Sequence, residues 1–195
     1  TTPICIFGSM RSIYNVNTIV GEKMDQVAKL VNHVYCHSDI EILSENQLRT
    51  ALDNGEADSE WKECSIFDQD SSRAIATNLG NMVTLAGGIE QLTYMVNEPM
   101  YIERLAEMEH KRWNSFHYMR GIGTWNIEDV QPINGKAKGK LMFNGTLSRH
   151  ICLVDYDRLD EVTRRVNILG NDTDFKEVDR RIIRHYPAFY RIMKS

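Results

Sequence analysis

The residues best suited to chemistry lie on one predicted helix, Pro99–Arg120, and in the segment that follows it. Aromatic faces can stack on a nucleobase, arginine and histidine can hold phosphate, and a carboxylate can accept a hydrogen bond from a ribose hydroxyl or a ring NH. The set therefore favours a pocket for a nucleotide-like ligand. Its members are Glu109, His110, Trp113, Trp125, Arg149, His150, Asp155 and Tyr156.

Glu109 and Trp113 also have a purely structural interpretation. Both lie on the apolar face of the helix, where an unpaired buried charge costs several kcal/mol or changes its protonation. Glu109 would then need a basic partner, for which Arg112, Arg149 or an arginine of the last helix are candidates. In this alternative the two residues belong to the core and bind no ligand.

Ser72 and Arg73 form a second candidate site. The sequence predicts a helix that begins at Asp70 or Ser71, and the free NH groups and dipole of a helix N-terminus favour anions. Ordinary capping of the helix is the alternative.

No metal, cofactor or catalytic set emerges from the spacing of the titratable residues. His110 and His117 are seven positions apart, whereas helical ligand pairs are separated by three or four. Cys152 and His150 show no evident orienting acid, and the apolar surroundings favour a buried structural cysteine. We expect a protein that is not an enzyme; an acid–base pair of Glu109 and His110 is the weaker alternative.

The periodicity predicts a mainly helical protein with a small β-hairpin. Helices are predicted over Glu22–Tyr35, from Asp70 to Gly87, over Pro99–Arg120, and from about Asp172 to Pro187. A short strand is predicted at Ile4–Phe7, and a loop or weak helix between positions 38 and 58.

The glycine-rich stretch from Gly121 to Arg149 predicts the hairpin, or an irregular arm. Its tip is basic, with Lys136, Lys138 and Lys140. An extended segment is predicted to follow at 151–154.

Composition excludes several classes of protein. A net charge of −4 over 195 residues argues against a nucleic-acid surface, and no apolar run is long enough to span a bilayer. The four cysteines are scattered and form no CxxC pair, which is typical of a reduced, cytoplasmic chain. Because the first residue is not Met, we expect a piece of a longer chain, with upstream domains or a homo-oligomer as partners.

Three separate stretches are similar to the ryanodine-receptor repeat domain as bacteria carry it. Leu105–Trp113 followed by Gly121 resembles its opening "LAE-x-EH-x-RW … G-[WY]" pattern, Arg149–Leu159 its "H-x-x-LVPYDEL" middle, and Asp179–Pro187 its closing "D-R-x-x-[IV]-R-x-[IYL]-P". The chain lacks the aromatic residue that usually follows the glycine, and Asp155 stands where the family has proline. The resemblance covers residues 98–195.

The upstream half, residues 1–97, resembles the helical segment that precedes this domain in bacterial multidomain proteins. The matches are Ala28–Tyr35, Trp61 and Asp70–Ala74. The resemblance implies a helical repeat-like domain packed on an N-terminal helical segment. It also implies a non-catalytic regulatory or sensor module for a nucleotide-derived or other small anionic ligand. A protein–protein interaction scaffold within a larger regulatory or channel-associated assembly is the alternative.

Overall fold

The computed structural model describes residues 23–37, 42–126, 128, 143–144, 148–168 and 173–195. Within these ranges the chain is mainly helical with a small sheet, which confirms the predicted fold class. The helices are α1 (Lys23–Cys36), α2 (Glu45–Asp53), α3 (Glu56–Glu63), α4 (Ile66–Ala86), α5 (Ile89–Met95), α6 (Pro99–Met119), α7 (Leu159–Ile168) and α8 (Phe175–Lys194). Among these described helices, none is both long enough and apolar enough to cross a membrane.

Three two-residue strands form the sheet: β1 (Gly123–Thr124), β2 (Phe143–Asn144) and β3 (Arg149–His150). The central strand β3 pairs antiparallel with β2, as the hairpin prediction requires, and parallel with β1. The β1–β3 pairing was not predicted; it ties the chain that leaves α6 to the returning strand of the hairpin. The predicted basic tip at Lys136, Lys138 and Lys140 lies outside the described residues, as does the predicted strand at Ile4–Phe7.

The chain divides into two compact units. The first contains residues 1–89 and 186–195, and the second contains residues 90–185. The sequence predicts the boundary at 97/98, with the whole C-terminal helix in the second domain. In the structure, α8 belongs to the second unit up to His185 and to the first unit from Tyr186 onward.

In the first unit, α1 packs against α3 and α4. Of the apolar face that the sequence predicts for α1, Val27, Ala28 and Val31 are at 0% exposure and Val34 is at 2%, whereas Tyr35 is half-buried.

The second unit has its own apolar core, which surrounds the turn after β3. A short 3-10 helix (Tyr156–Arg158) leads into α7 there. The core cluster consists of Ala106, Ile151, Cys152, Tyr156, Leu159, Val162, Val166 and Phe175. The predicted extended segment at 151–154 is a turn instead, closed by a hydrogen bond from the Leu153 NH to the His150 carbonyl at 3.3 Å.

The region predicted as a loop or weak helix contains two helices, α2 and α3. A capping box begins α2: the Ser44 hydroxyl accepts from the Gln47 NH, and the Gln47 side chain accepts from the Ser44 NH. Leu48 and Ala51 are buried, so a short polar helix is stabilised by two apolar side chains and its cap. The helical alternative is the one that α2 adopts, and the predicted turn at Asp53–Gly55 is confirmed, with Gly55 in the left-handed region at φ +79°.

Two predicted helix ends are wrong. Helix α4 begins at Ile66, before Asp70, because Ser65 caps it by accepting from the Asp68 NH at 3.1 Å. Helix α8 continues through Pro187 to Lys194. An internal proline costs about 3 kcal/mol, but burying Phe189 and Ile192 beyond it contributes roughly 1.5–3 kcal/mol for each side chain and offsets that cost.

Candidate functional site

His110 connects three segments of the second unit that are distant in sequence. Its side chain is 3% exposed, with Nε2 2.9 Å from the Val154 carbonyl oxygen and Nδ1 3.0 Å from Oδ2 of Asp179. Because a carbonyl can only accept, Nε2 carries a hydrogen and donates it. Both ring nitrogens are therefore engaged in internal hydrogen bonds, and His110 holds α6, the turn after β3 and α8 together.

The buried surroundings of Asp179 change the pKa of its carboxyl group. Burial raises the pKa of its carboxyl to about 6, although the hydrogen bond with His110 acts in the opposite direction. The negative charge of Glu109 raises the pKa further, and Arg112 lowers it.

Glu109 takes the first of its predicted partners, Arg112. The guanidinium donates from Nε and Nη2 to the two carboxylate oxygens, at 2.8 and 2.6 Å, and the Glu109 side chain is only 1% exposed. This is the internal salt bridge of the structural interpretation. The acid–base alternative treats Glu109 and His110 as reactive groups. In the structure both side chains make buried internal contacts instead.

Trp113 lies in an aromatic cluster with three histidines. Its ring centroid is 3.9 Å from that of His117, 5.0 Å from His150 and 5.8 Å from His110. It packs against the apolar core of the second unit. Trp113 thus has the contacts of a core residue.

His150 is held neutral in this cluster. The main-chain NH of Cys152 donates to its Nδ1 at 3.1 Å. Burial lowers the pKa of His150 from 6.5 to about 3, and the neighbouring His117 and His110 act in the same direction. Burial also raises the pKa of the Cys152 thiol well above its usual range, so the thiol stays protonated at neutral pH.

We expect His150 to make the protein sensitive to mild acid. The unfolded chain takes up a proton on this histidine near pH 6.5, whereas the folded chain does so only near pH 3, so stability falls as the pH drops through that window. Between about pH 7 and pH 5, wild type should lose up to about 2 kcal/mol more than His150→Gln. Urea unfolding at both pH values measures this difference, and equal losses in the two proteins would contradict it.

A cavity of about 320 Å³ opens beside this network. Trp125 and Arg149, both predicted ligand-binding residues, line it. Thr124, Asn126, Ile151, Val154, Arg158 and Val162 complete its wall and were not predicted. Arg158 and Val162 are separated by four positions. This spacing is the one sequence feature that indicates that they are neighbours on one helical face.

The remaining predicted residues lie elsewhere. Tyr156 is buried in the core, and its hydroxyl donates to the Glu103 carboxylate at 3.1 Å. Asp155 is exposed at the start of the 3-10 helix and does not line the cavity.

Ser72 and Arg73 belong to the first unit and lie inside α4. The prediction of a helix N-terminus at these residues is wrong, because the helix begins at Ile66. Ser72 is buried, and the Arg73 guanidinium donates to both carboxylate oxygens of Asp25, at 2.8 and 2.9 Å. Arg73 thus joins α4 to α1.

The chain matches no protein-family model, no curated protein and no solved structure with which it was compared. The similarity of its three stretches to the ryanodine-receptor repeat therefore stays a prediction. The three stretches do approach one another at His110, Val154 and Asp179.

Proposed function

We propose that the second unit binds a small anionic ligand with a planar ring, such as a nucleotide or a nucleotide derivative, in the cavity between β1, β3 and α7. The observation that carries the proposal is that Trp125 and two arginines, Arg149 and Arg158, line the same cavity. Guanidinium groups bind phosphate through paired hydrogen bonds, and an indole provides a stacking face.

Both arginines are accessible to a ligand. Arg149 is exposed, and within the described part of the chain no acceptor lies within hydrogen-bond distance of its side chain. Arg158 contacts Glu161 at 3.2 Å, but both side chains are half exposed or more. Such a surface ion pair contributes about 0–1 kcal/mol, so a phosphate can displace it at little cost.

The main chain that carries Trp125 is held in place by hydrogen bonds. The main-chain NH of Trp125 donates to the His150 carbonyl at 3.1 Å, and the Thr124 hydroxyl donates to the Leu153 carbonyl at 2.8 Å. These bonds continue the β1–β3 pairing and fix the chain at the cavity. A preorganised wall reduces the entropic cost of binding.

The cavity volume limits the size of the ligand. A volume of about 320 Å³ is at the lower end of the range for small-molecule sites, about 300–1,000 Å³. The cavity therefore suits one mononucleotide-sized group. We infer a non-catalytic cytoplasmic sensor, in keeping with the predicted family resemblance.

Calorimetric titration of the chain with AMP, ADP-ribose, adenosine and inorganic phosphate tests this proposal. We expect at least one phosphate-containing compound to bind, and Arg149→Ala to weaken its binding by about 10- to 100-fold, because a charge-assisted hydrogen bond is lost. Arg164→Ala, which removes an exposed arginine of α7 that does not line the cavity, is the matched control and should bind as wild type does.

Failure of all four compounds to bind, or equal weakening by both substitutions, would overturn the proposal. If sedimentation then showed concentration-dependent self-association, the interaction scaffold would be the better interpretation.

A further inference from the structure

Two histidines at the end of α1 and two glutamates of α3 converge in the first unit. His33 lies in α1, and His37 directly follows the helix, with its NH donating to the His33 carbonyl at 3.1 Å as in a further helical turn. His33 and His37 are separated by four positions, as are Glu56 and Glu60, so the members of each pair lie on the same side of the chain. One ligand atom from each of the four side chains can be chosen so that all lie within 4.8 Å of one another.

Glu60 is the centre of the cluster. Its Oε2 is 2.7 Å from Nδ1 of His33, and its Oε1 is 2.7 Å from Nε2 of His37. Glu56 completes the group, with Oε1 3.8 Å from the same nitrogen of His37. The nitrogen and oxygen atoms that a cation would need thus already face one another.

The two helices that supply these groups are fixed relative to each other. They pack directly, and Lys29 of α1 forms a 2.7 Å ion pair with Asp58 of α3. His33 is buried, whereas about half of the Glu56 side chain is exposed to solvent. The cluster therefore has a buried side, at His33, and an exposed side, at Glu56, from which an ion can enter.

We propose that His33, His37, Glu56 and Glu60 bind one divalent transition-metal ion, of which Zn²⁺ is the representative. Two imidazole nitrogens and two carboxylate oxygens are ligands that Zn²⁺ accepts in four-coordinate sites. With bonds of about 2.0–2.2 Å, tetrahedral ligand atoms are separated by about 3.4 Å. The 2.7 Å contacts must lengthen and the 3.8 Å contact must shorten by less than an ångström each, and the widest separation among the four ligand atoms, at most 4.8 Å, must close by no more than about 1.4 Å. Side-chain rotation can supply these changes.

Binding of the ion replaces the hydrogen bonds of Glu60 with metal–ligand bonds. Any proton on the ligating nitrogens of His33 and His37 is released to solvent, since only the unprotonated nitrogen coordinates a metal. The ion would link α1 to α3 and stabilise the first unit. This proposal concerns the first unit and is independent of the ligand proposed for the second.

The nearby thiols are better assigned to packing than to the metal. The Cys64 thiol donates to the Asn32 side-chain oxygen at 3.1 Å, and the Asn32 amide is 3.7 Å from the sulfur of Cys36. Burial raises the pKa of both thiols, that of Cys64 to about 11. A Cys36→Ser/Cys64→Ser chain should accordingly keep the site.

The test is calorimetric titration of the metal-free full chain with Zn²⁺, together with the visible absorption spectrum of the Co²⁺-loaded chain. We expect one ion per chain and the intense d–d bands of tetrahedral cobalt. Glu60→Gln and His37→Gln should each weaken binding at least tenfold. Glu63→Gln removes an exposed carboxylate at the end of the same helix and should bind as wild type does.

Circular dichroism of each variant separates loss of the site from loss of the fold. His37, at the outer side of the cluster, is the variant that tests the site if Glu60→Gln does not fold. Absence of Zn²⁺ binding by wild type, undiminished binding by the folded His37→Gln chain, or loss of binding in the double serine variant would overturn the proposal.

Discussion

Replacing Arg112 with methionine is expected to lower the free energy of unfolding by about 3–5 kcal/mol. The substitution removes the guanidinium that donates two hydrogen bonds to Glu109, whose side chain is 1% exposed. Removing one partner of a buried ion pair costs about 3–5 kcal/mol, because the remaining charge stays desolvated and has lost its counter-charge. Urea unfolding followed by circular dichroism measures the change.

Lys111→Met is the matched control for Arg112→Met. Lys111 forms a 2.5 Å ion pair with Glu107 on the same helix, but this pair is exposed to solvent, so its loss should change the free energy of unfolding far less than the loss of Arg112 does. The double variant Glu109→Gln/Arg112→Met should recover a large part of the stability lost in Arg112→Met, since no buried charge remains. If Arg112→Met and Lys111→Met were equally stable, the Glu109–Arg112 salt bridge would have no special role in the core.

The second large effect is expected from His110→Leu, at about 3 kcal/mol. Leucine fills similar space but cannot donate to the Val154 carbonyl or pair with Asp179, so two buried acceptors lose a partner. Asn114 still donates to the same carbonyl at 2.8 Å, which leaves Asp179 with the greater share of the loss.

The pH dependence of this loss distinguishes the Asp179 bond from simple repacking. The pKa of Asp179 is raised from 3.8 to about 6, so the folded chain holds a proton that the unfolded chain has lost, and stability falls as the pH rises through that window. Removing His110 takes away a bond that favours the carboxylate. The cost of His110→Leu should therefore be larger at about pH 7.5 than at about pH 5.

His110→Leu/Asp179→Leu is the control for this effect. With the buried carboxylate removed as well, the extra cost at higher pH should disappear. A cost that is the same at both pH values in the single variant would show that the loss comes from packing alone.

Local periodicity was sufficient to predict the long helices. α1 and α6 carry an apolar stripe over three or more turns, and both appear within a few residues of their predicted ends. The partner of Glu109 was among the predicted arginines because Arg112 is one helical turn away. Such relations between near neighbours depend only on helix geometry.

The short or contradictory segments could not be predicted in this way. α2 has only two buried residues and depends on the burial of Leu48 and Ala51, which its polar sequence does not reveal. α8 contains Pro187, a residue that normally ends a helix, and continues because the side chains beyond it are buried.

Of the predicted ligand-binding residues, the cavity contains Trp125 and Arg149, whereas Glu109, His110, Trp113 and Tyr156 have core contacts. Residue type could not separate the two groups, because the same side chains that bind nucleotides also form buried hydrogen-bonded pairs. The histidine and glutamate pairs of the first unit each show metal-ligand spacing in the sequence. The sequence predicts only a loop or weak helix up to position 58, so nothing in it indicates that α3 places its glutamates beside the histidines.

The amino-acid order alone was enough to establish a mainly helical chain, the faces that the long helices bury and the set of residues from which a site could be formed. Which of those residues meet in space depended on packing between distant segments: the 44 positions between His110 and Val154, the 69 between His110 and Asp179, and the 27 between His33 and Glu60. Helix periodicity acts over a few residues, whereas these contacts arise from burial summed over whole elements, and no local pattern encodes that sum.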